Sequence, residues 1–100
     1  MNKLIFNILA EKELLESVKW YNEQNKNLGI NFYFAVQQLI EKISVSPEVY
    51  GYSKKPFREA AVPVLPYLIV YVYNSTKKSI YISSVFHTHR NPGKKFRKIQ

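Results

Sequence analysis

The feature that most constrains the fold is a pair of strand patterns joined by a short polar loop. Residues 67–73 read Tyr-Leu-Ile-Val-Tyr-Val-Tyr, a run of aromatic and β-branched side chains typical of a strand. Residues 74–78 are polar, and a second apolar run extends from Ser79 to Phe86. This order predicts a β-hairpin. Because the second run is apolar on both faces, it is predicted to lie in the interior of a sheet.

Strict alternation along the second run predicts which side chains share a face. Ile80, Ile82 and Phe86 are predicted to lie on one face, and Tyr81 and Val85 on the other. We therefore expect both faces of this strand to contact other parts of the molecule.

Two helices are predicted between residues 10 and 47. A first strand, residues 3–9, precedes them, and the short polar break at residues 25–29 predicts that the helices are antiparallel neighbours. Trp20, Tyr21, Phe32 and Phe34 are predicted to pack at or near their contact, and an aromatic pocket for a ligand is the alternative. The apolar positions recur at helical spacing: Leu14, Val18 and Tyr21 in the first helix, and Phe32, Val36, Leu39 and Ile43 in the second.

The order of these patterns predicts an α+β domain with βααβββ topology. Residues 48–56 are predicted to form a loop, and residues 57–62 a short strand at the edge of the sheet or ending in a bulge, because Pro63 and Pro66 cannot donate hydrogen bonds. We expect a helical hairpin packed on one face of a mostly antiparallel four-stranded sheet. Residues 1–93 are predicted to form a single domain, and residues 94–100 a basic C-terminal tail.

Charge is distributed unevenly along the chain. Residues 1–50 contain five Lys and six Glu, a net charge of −1, and residues 51–100 contain ten Lys or Arg and one Glu, a net charge of +9. Such a field attracts nucleic acid or an acidic protein, although it can also serve solubility alone. The absence of cysteine excludes disulfides and thiolate metal sites. The sequence has no apolar run of membrane-spanning length, and we expect a soluble cytoplasmic protein.

The end of the last predicted strand carries a cluster of polar side chains. His87, His89 and Arg90 follow Phe86, and Pro92 stops the strand. Imidazole and guanidinium groups on a rigid strand are suited to acid–base chemistry or to anion binding. Two histidines without further ligands make a poor metal site, so neither a metal nor a cofactor is predicted.

Four short stretches, in this order along the chain, resemble the RelE/ParE toxin superfamily of bacterial type II toxin–antitoxin systems, whose members are often labelled plasmid stabilisation proteins. They are residues 10–14 (Ala-Glu-Lys-Glu-Leu) with Trp20-Tyr21, Leu28-Gly29 with Phe32, Arg58 with residues 66–71 (Pro-Tyr-Leu-Ile-Val-Tyr), and residues 85–92 (Val-Phe-His-Thr-His-Arg-Asn-Pro). The resemblance implies the βααβββ fold, a cytoplasmic toxin and an acidic antitoxin encoded beside it.

The resemblance also implies that Arg58, His87 and Arg90 face the functional surface. RelE-type ribonucleases carry an arginine where this chain has Leu68, and relatives often carry a basic residue where it has Val64. ParE-type relatives, which poison DNA gyrase, do not depend on the same catalytic set. The target is therefore predicted to be either ribosome-bound mRNA or DNA gyrase.

These residues could support cleavage of RNA by its own 2′-hydroxyl group. His87 would act as the general base or acid, and Arg58 and Arg90 would hold the phosphate. Tyr71, Tyr73 or Tyr81 could stack on a base if exposed. The cations predicted to bind neighbouring phosphates are Lys54, Lys55, Lys94, Lys95, Arg97 and Lys98.

The predicted function is a toxin that inhibits translation by mRNA cleavage. The alternatives are a gyrase inhibitor and a non-catalytic basic binding module or degenerate toxin. His87 could instead be a structural strand-end residue bound to the backbone, and Arg58 could form a surface ion pair with Glu48 or Glu59. Arg90 could bind acidic residues of the antitoxin, and the lysine tail could be only solvated.

Overall fold

A computed structural model of the chain describes residues 2–89 and 95–97. The sheet has the order β1-β5-β4-β3-β2, in which β1 runs parallel to β5 and the other neighbouring strands are antiparallel. The predicted α+β class and the helical hairpin are confirmed. The elements are β1 (Lys3–Phe6), α1 (Ile8–Gln24), α2 (Leu28–Val45), β2 (Tyr52–Lys54), β3 (Phe57–Ala61), β4 (Tyr67–Asn74) and β5 (Ser79–His87).

Helix α1 begins earlier than predicted because Asn7 caps it. The Asn7 side-chain oxygen accepts a hydrogen bond from the backbone N–H of Leu9 at 2.7 Å, as expected of an N-cap residue. The prediction that residues 8 and 9 continue the first strand is therefore wrong. The side-chain amide of Asn7 also donates to the Tyr81 hydroxyl at 2.5 Å, which ties the start of α1 to β5.

The helices α1 and α2 approach closely at Gly29. A Cβ atom at this position would lie 2.5 Å from the carbonyl oxygen of Val18 in α1 and 2.1 Å from Oδ1 of Asn22. Glycine at the second residue of α2 therefore allows the backbones to come together just after the Asn25–Asn27 turn.

The main core lies between the helices and one face of the sheet, which we call the helix face. Phe32 and Val36 of α2 are completely or almost completely buried there, as are Ile69 and Tyr71 of β4. We call the opposite side the outer face. A smaller cluster occupies it, formed by Phe57, Leu68, Val70, Val72, Phe86 and Phe96.

A β-bulge in β5 changes which side chains face the helices. Val70 pairs with Ser84, but the next residue of β4, Tyr71, pairs with Ile82, so β5 has one extra residue at this point. Ile80 and Ile82 therefore share the helix face with Val85, whereas Phe86 packs in the outer cluster. The prediction that Phe86 shares a face with Ile80 and Ile82 is wrong, since an inserted residue reverses the alternation.

Strand β3 is not at the edge of the sheet, so the edge position predicted for it is wrong. The segment predicted as a loop contains β2, which pairs with β3 through Tyr52 and Arg58 and makes the sheet five-stranded. Pro63 and Pro66 lie beyond the end of β3, in the turn that leads to β4, so they do not interrupt the hydrogen-bond ladder of the sheet.

The prediction that β5 is an interior strand is confirmed, because β5 lies between β1 and β4. None of the described helices is long and apolar enough to cross a membrane.

Candidate functional site

His87 lies at the end of β5, on the helix face of the sheet. It pairs with Tyr67 of β4, and the two rings meet edge to face with centroids 5.0 Å apart. The backbone N–H of His89 donates to His87 Nδ1 at 3.1 Å. The imidazole is half-buried, so one part of it is held by the protein while another remains accessible.

His87 borders a pocket that we call the Trp20 pocket. Its volume is about 590 Å³, and it lies between α1 and the adjoining ends of β4 and β5. Its lining consists of Glu16, Ser17, Trp20, Tyr21, Pro66, Tyr67 and His87. Trp20 and Phe34 are both more than half exposed, so the prediction that they pack between the helices is wrong for them. Tyr21 and Phe32 do stack there, with centroids 5.1 Å apart.

Arg58 is engaged with the loop that joins α2 to β2. Its guanidinium donates to the carbonyl oxygen of Tyr50 at 2.6 Å, to that of Glu48 at 3.3 Å, and to the Tyr52 hydroxyl at 2.9 Å. It also lies 4.0 Å from the centre of the Tyr52 ring, a cation–π distance. Arg58 therefore holds this loop through backbone carbonyl groups rather than by an ion pair with the carboxylate of Glu48.

The structure places Arg58 and His87 on the same face of the sheet but not in one cluster. Arg58 pairs with Tyr71 and His87 pairs with Tyr67, so the two residues lie on strands flanking β4 and four residues apart along it. At about 3.3 Å per residue and 4.8 Å per strand, their backbones are roughly 16 Å apart. Arg90, the third predicted catalytic residue, lies outside the described residues.

The predicted phosphate-binding cations have different surroundings. Lys54 is the last residue of β2 and Lys55 follows it; both are exposed, near the rings of Phe96 and Tyr52 respectively. Lys95 forms an ion pair with Glu59 at 2.5 Å and Arg97 forms one with Glu13 at 2.9 Å, and the side chains in both pairs are largely buried. Lys94 and Lys98 lie outside the described residues.

Sequence reasoning missed the role of Glu13, which connects three segments. Its carboxylate receives two hydrogen bonds from Arg97, at 2.9 and 3.1 Å, and one from the backbone N–H of Val85 at 3.1 Å. The Ser84 hydroxyl lies 3.2 Å from the same carboxylate. Strand β1 pairs with β5 only as far as Ile82, so beyond that residue β5 has an edge that is not paired with β1. Glu13 accepts the hydrogen bond from the Val85 N–H at this edge.

Residues 95–97 lie against the outer face of the sheet. The Ser83 hydroxyl accepts a hydrogen bond from the backbone N–H of Arg97 at 2.7 Å, and its oxygen lies 2.8 Å from the Lys95 carbonyl oxygen. Phe96 packs against Phe57 with ring centroids 5.0 Å apart. Leu68, at the position where the resemblance predicts an arginine in ribonucleases, packs against this apolar cluster.

Tyr71 is completely buried beneath the loop that Arg58 holds. Its hydroxyl donates to the Pro47 carbonyl oxygen at 2.6 Å. Burial raises the pKa of Tyr71 to about 12, and this outweighs the nearby Arg58 guanidinium, which acts to lower it. Tyr71 and Tyr81 are both buried, so neither offers a ring face for stacking on a base.

The raised pKa of Tyr71 predicts a loss of stability at high pH. The unfolded chain releases this proton near pH 10, whereas the folded protein retains it to about pH 12. The contribution to stability is therefore complete below pH 10 and is lost as the pH rises from 10 through 12, amounting to about 2–3 kcal/mol. Urea denaturation at a series of pH values measures it.

Matched variants separate this contribution from that of other tyrosines. Tyr71→Phe should cost about 1 kcal/mol near neutral pH, because it removes the hydrogen bond to Pro47, but should lose less stability between pH 10 and 12. Tyr33→Phe, which changes a tyrosine that is 38% exposed, is the matched control. Equal pH dependence in Tyr71→Phe and in the wild type would contradict the assignment.

The described part of the chain contains no group of three or more His, Cys, Asp or Glu side chains placed to bind a metal ion. The described site residues carry imidazole, guanidinium, ammonium, carboxylate and aromatic groups. His87 is the residue among them whose ordinary pKa suits proton transfer near neutral pH.

The solved structures that share this fold include a RelE toxin and a chain of a ParDE TA system. The isolated E. coli RelE toxin matches with a TM-score of 0.67 over 93% of this chain and 90% of its own, at 17% sequence identity. A chain of the chromosomal ParDE TA system from P. aeruginosa matches with a TM-score of 0.64 over 89% and 98%, at 16% identity. No protein-family model and no curated protein matches the sequence. The RelE/ParE-like fold that the resemblance predicted is confirmed.

Proposed function

We propose that this protein is the toxin of a type II toxin–antitoxin system, acting in the cytoplasm and held inactive by an acidic antitoxin. The observation that carries the proposal is the shared fold, which covers about nine-tenths of this chain and of both toxin-system chains. The net charge of +8 suits an acidic partner, because complementary charge speeds association and selects the partner.

Inhibition of DNA gyrase by binding is the mode that the site geometry supports better. A ribonuclease needs a proton-transfer group and a cation at the same phosphate. The guanidinium of Arg58 is instead held by the loop at Tyr50 and Tyr52, and the backbones of Arg58 and His87 are roughly 16 Å apart. Leu68 offers no charge where RelE-type ribonucleases carry one.

Cleavage of mRNA is the second candidate, and one observation favours it. His87 is half-buried at the rim of a pocket large enough for part of a nucleotide, which is a suitable position for a general acid or base. Arg90, three residues after His87 in the sequence, or a cation supplied by another molecule would complete this site.

Induced expression in a bacterial host distinguishes the two modes. We expect growth arrest that co-expression of the neighbouring acidic gene product relieves, with gyrase-dependent DNA breaks and no mRNA cuts in primer extension. His87→Ala should leave arrest by gyrase binding unchanged. If the protein is a ribonuclease, the same variant should lower cleavage by about 10²- to 10⁴-fold.

Other outcomes would contradict the proposal at different levels. Codon-linked mRNA cuts that His87→Ala abolishes would replace the gyrase mode with the ribonuclease. Absence of growth arrest from a folded protein would leave a basic binding module or degenerate toxin. Lys26→Ala is a suitable control, because it removes an exposed cation that lies outside the Trp20 pocket and is not among the predicted phosphate-binding residues.

A further inference from the structure

We propose that the exposed face of α2 is the interface of a homodimer, in which two copies of this chain pair their α2 helices in antiparallel orientation. This face has a ridge of apolar side chains in the first half of the helix and a groove beside the second half. In the antiparallel pair, each ridge fills the groove of the other copy. The interface involves neither the Trp20 pocket nor the toxin's target, so it goes beyond the proposed function.

The ridge is formed by large apolar side chains that the fold leaves exposed. Ile30 and Phe34 are one helical turn apart, so they share one side of α2, and they are 56% and 58% exposed. The Tyr33 ring lies 6.3 Å from that of Phe34 and widens the apolar surface. Neighbouring exposed apolar side chains, unlike scattered ones, indicate a contact site.

The groove lies between the C-terminal half of α2 and the loop that leads to β2. Its volume is about 720 Å³. Val45 and Val49 are 83% and 75% exposed, so the groove presents apolar surface on both of its sides. Its lining includes Gln38, Glu41, Lys42, Val45, Val49 and Tyr50. We call it the α2 groove, and apolar side chains of a second molecule are the occupants that its two valines suit.

Antiparallel pairing brings the ridge of each copy onto the α2 groove of the other. We place the two-fold axis beside Gln37 and Gln38, near the middle of the helix. Ile30 then lies opposite Val45 of the second copy, because the two residues are equally far from the axis along α2. The contact from Ile30 to Val45 is about 22 Å long at 1.5 Å per residue. Both copies use the same surface, as a two-fold interface requires.

The same register places Phe34 opposite Glu41 of the second copy, with Lys42 beside it. Both charged residues are exposed and line the α2 groove. Their apolar stems can cover the Phe34 ring while the charged ends remain in water. The ammonium group of Lys42 can also lie over the face of the ring, which is a favourable arrangement for a cation.

Charge favours a second copy over an acidic partner at this face. The 18 residues of α2 contain one Glu and one Lys, so the helix is neutral in a chain of net charge +8. An acidic segment is attracted instead to residues 51–100, which contain ten Lys or Arg and one Glu. Two molecules of charge +8 repel each other, and a neutral face is where they can meet at the lowest electrostatic cost.

Sedimentation equilibrium of the purified full-length chain, from about 5 to 500 μM, tests the proposal. We expect a monomer at the lowest concentration and a growing fraction of dimer above it, because so short a contact gives a weak interface. Raising the NaCl concentration from about 50 to 500 mM should increase the dimer fraction, because salt screens the repulsion between the two positive molecules. A dimer held by ion pairs would respond in the opposite direction.

Matched variants show whether the dimer uses the ridge. Ile30→Ala and Phe34→Ala should each weaken dimerisation by at least about tenfold, because each side chain is lost twice in a two-fold dimer. Leu15→Ala, which changes an α1 residue that is also 56% exposed, should leave it unchanged. Circular dichroism confirms that each variant is folded.

Cysteine cross-linking tests the antiparallel register without removing the apolar side chains. The chain has no cysteine of its own, so a single Gln38→Cys substitution gives one thiol per molecule. Beside the two-fold axis the two thiols are close enough to form a disulfide when the oxidant diamide is added. We expect a covalent dimer from Gln38→Cys well before one appears from Leu15→Cys, whose thiols meet only by collision.

Three outcomes would overturn the proposal. The first is a monomer at every protein and salt concentration, in which case an apolar segment of a different protein is the occupant to seek. The second is a dimer that Ile30→Ala and Phe34→Ala leave unchanged, or that salt dissociates. The third is equally slow cross-linking of Gln38→Cys and Leu15→Cys. None of these readouts depends on toxicity, so the dimer and the proposed toxin function can fail independently.

Discussion

Phe32→Ala should lower the free energy of unfolding by about 3–5 kcal/mol, the range measured for truncating a buried phenylalanine. Phe32 is 1% exposed and packs against Tyr21 at 5.1 Å and Tyr67 at 4.7 Å. Removing its ring leaves a cavity where α1, α2 and β4 meet, and the surrounding helices can close it only partly. Chemical denaturation measures the change.

Phe34→Ala is the matched control for this prediction, because Phe34 is the same residue type two positions along α2 and is 58% exposed. We expect a change within about 0.5 kcal/mol for it, as for most surface substitutions. Similar losses in the two variants would mean that the core is not centred on Phe32.

The same pair of variants should differ in the fluorescence of Trp20. Phe32 stacks on Tyr21, which contacts the Trp20 ring, so Phe32→Ala should shift the Trp20 fluorescence, whereas Phe34→Ala should not.

Periodicity was sufficient to predict the helices and the strongest strands. The four apolar positions of α2, from Phe32 to Ile43, are all buried against the sheet, as helical spacing predicted. The hairpin of β4 and β5 also follows from local signals. These elements are predictable because the apolar side chains of each one recur at regular spacing and form one continuous buried face.

The features that periodicity could not predict depend on distant partners. The bulge in β5 follows from pairing with β4, and no local signal in the Ser83-Ser84 pair distinguishes it from an ordinary strand. Strand β2 is three residues long, and it forms by antiparallel pairing with β3. Pattern reasoning treats a segment so short and exposed as a loop.

The candidate site could be predicted from residue type but not from position. The prediction that His87 and Arg58 are site residues stays a prediction, and the structure places them at separate points of the helix face, with Arg58 engaged by the loop after α2. The pairing of Glu13 with Arg97 joins residues at opposite ends of the chain, and no short motif marks it. Long-range ion pairs of this kind follow from topology, which sequence patterns specify only coarsely.

Glu13→Ala should destabilise the protein by about 3 kcal/mol, because it leaves Arg97 and the backbone N–H of Val85 without their shared acceptor. The Glu13 and Arg97 side chains are only 12% and 19% exposed, so water compensates for little of the loss. Glu16→Ala, in the same helix, removes an exposed pair with Lys12 at 3.8 Å and should cost about 0.5 kcal/mol or less.

A double-mutant cycle of Glu13→Ala and Arg97→Ala separates the ion pair from the hydrogen bond to Val85. We expect the double variant to be less destabilised than the sum of the single variants, because the second change removes a charge that the first left unpaired. Strictly additive losses would show that Arg97 contributes nothing through Glu13. In that case residues 95–97 would be held on the outer face by the hydrogen bonds of Ser83, the Lys95–Glu59 ion pair and the packing of Phe96 on Phe57.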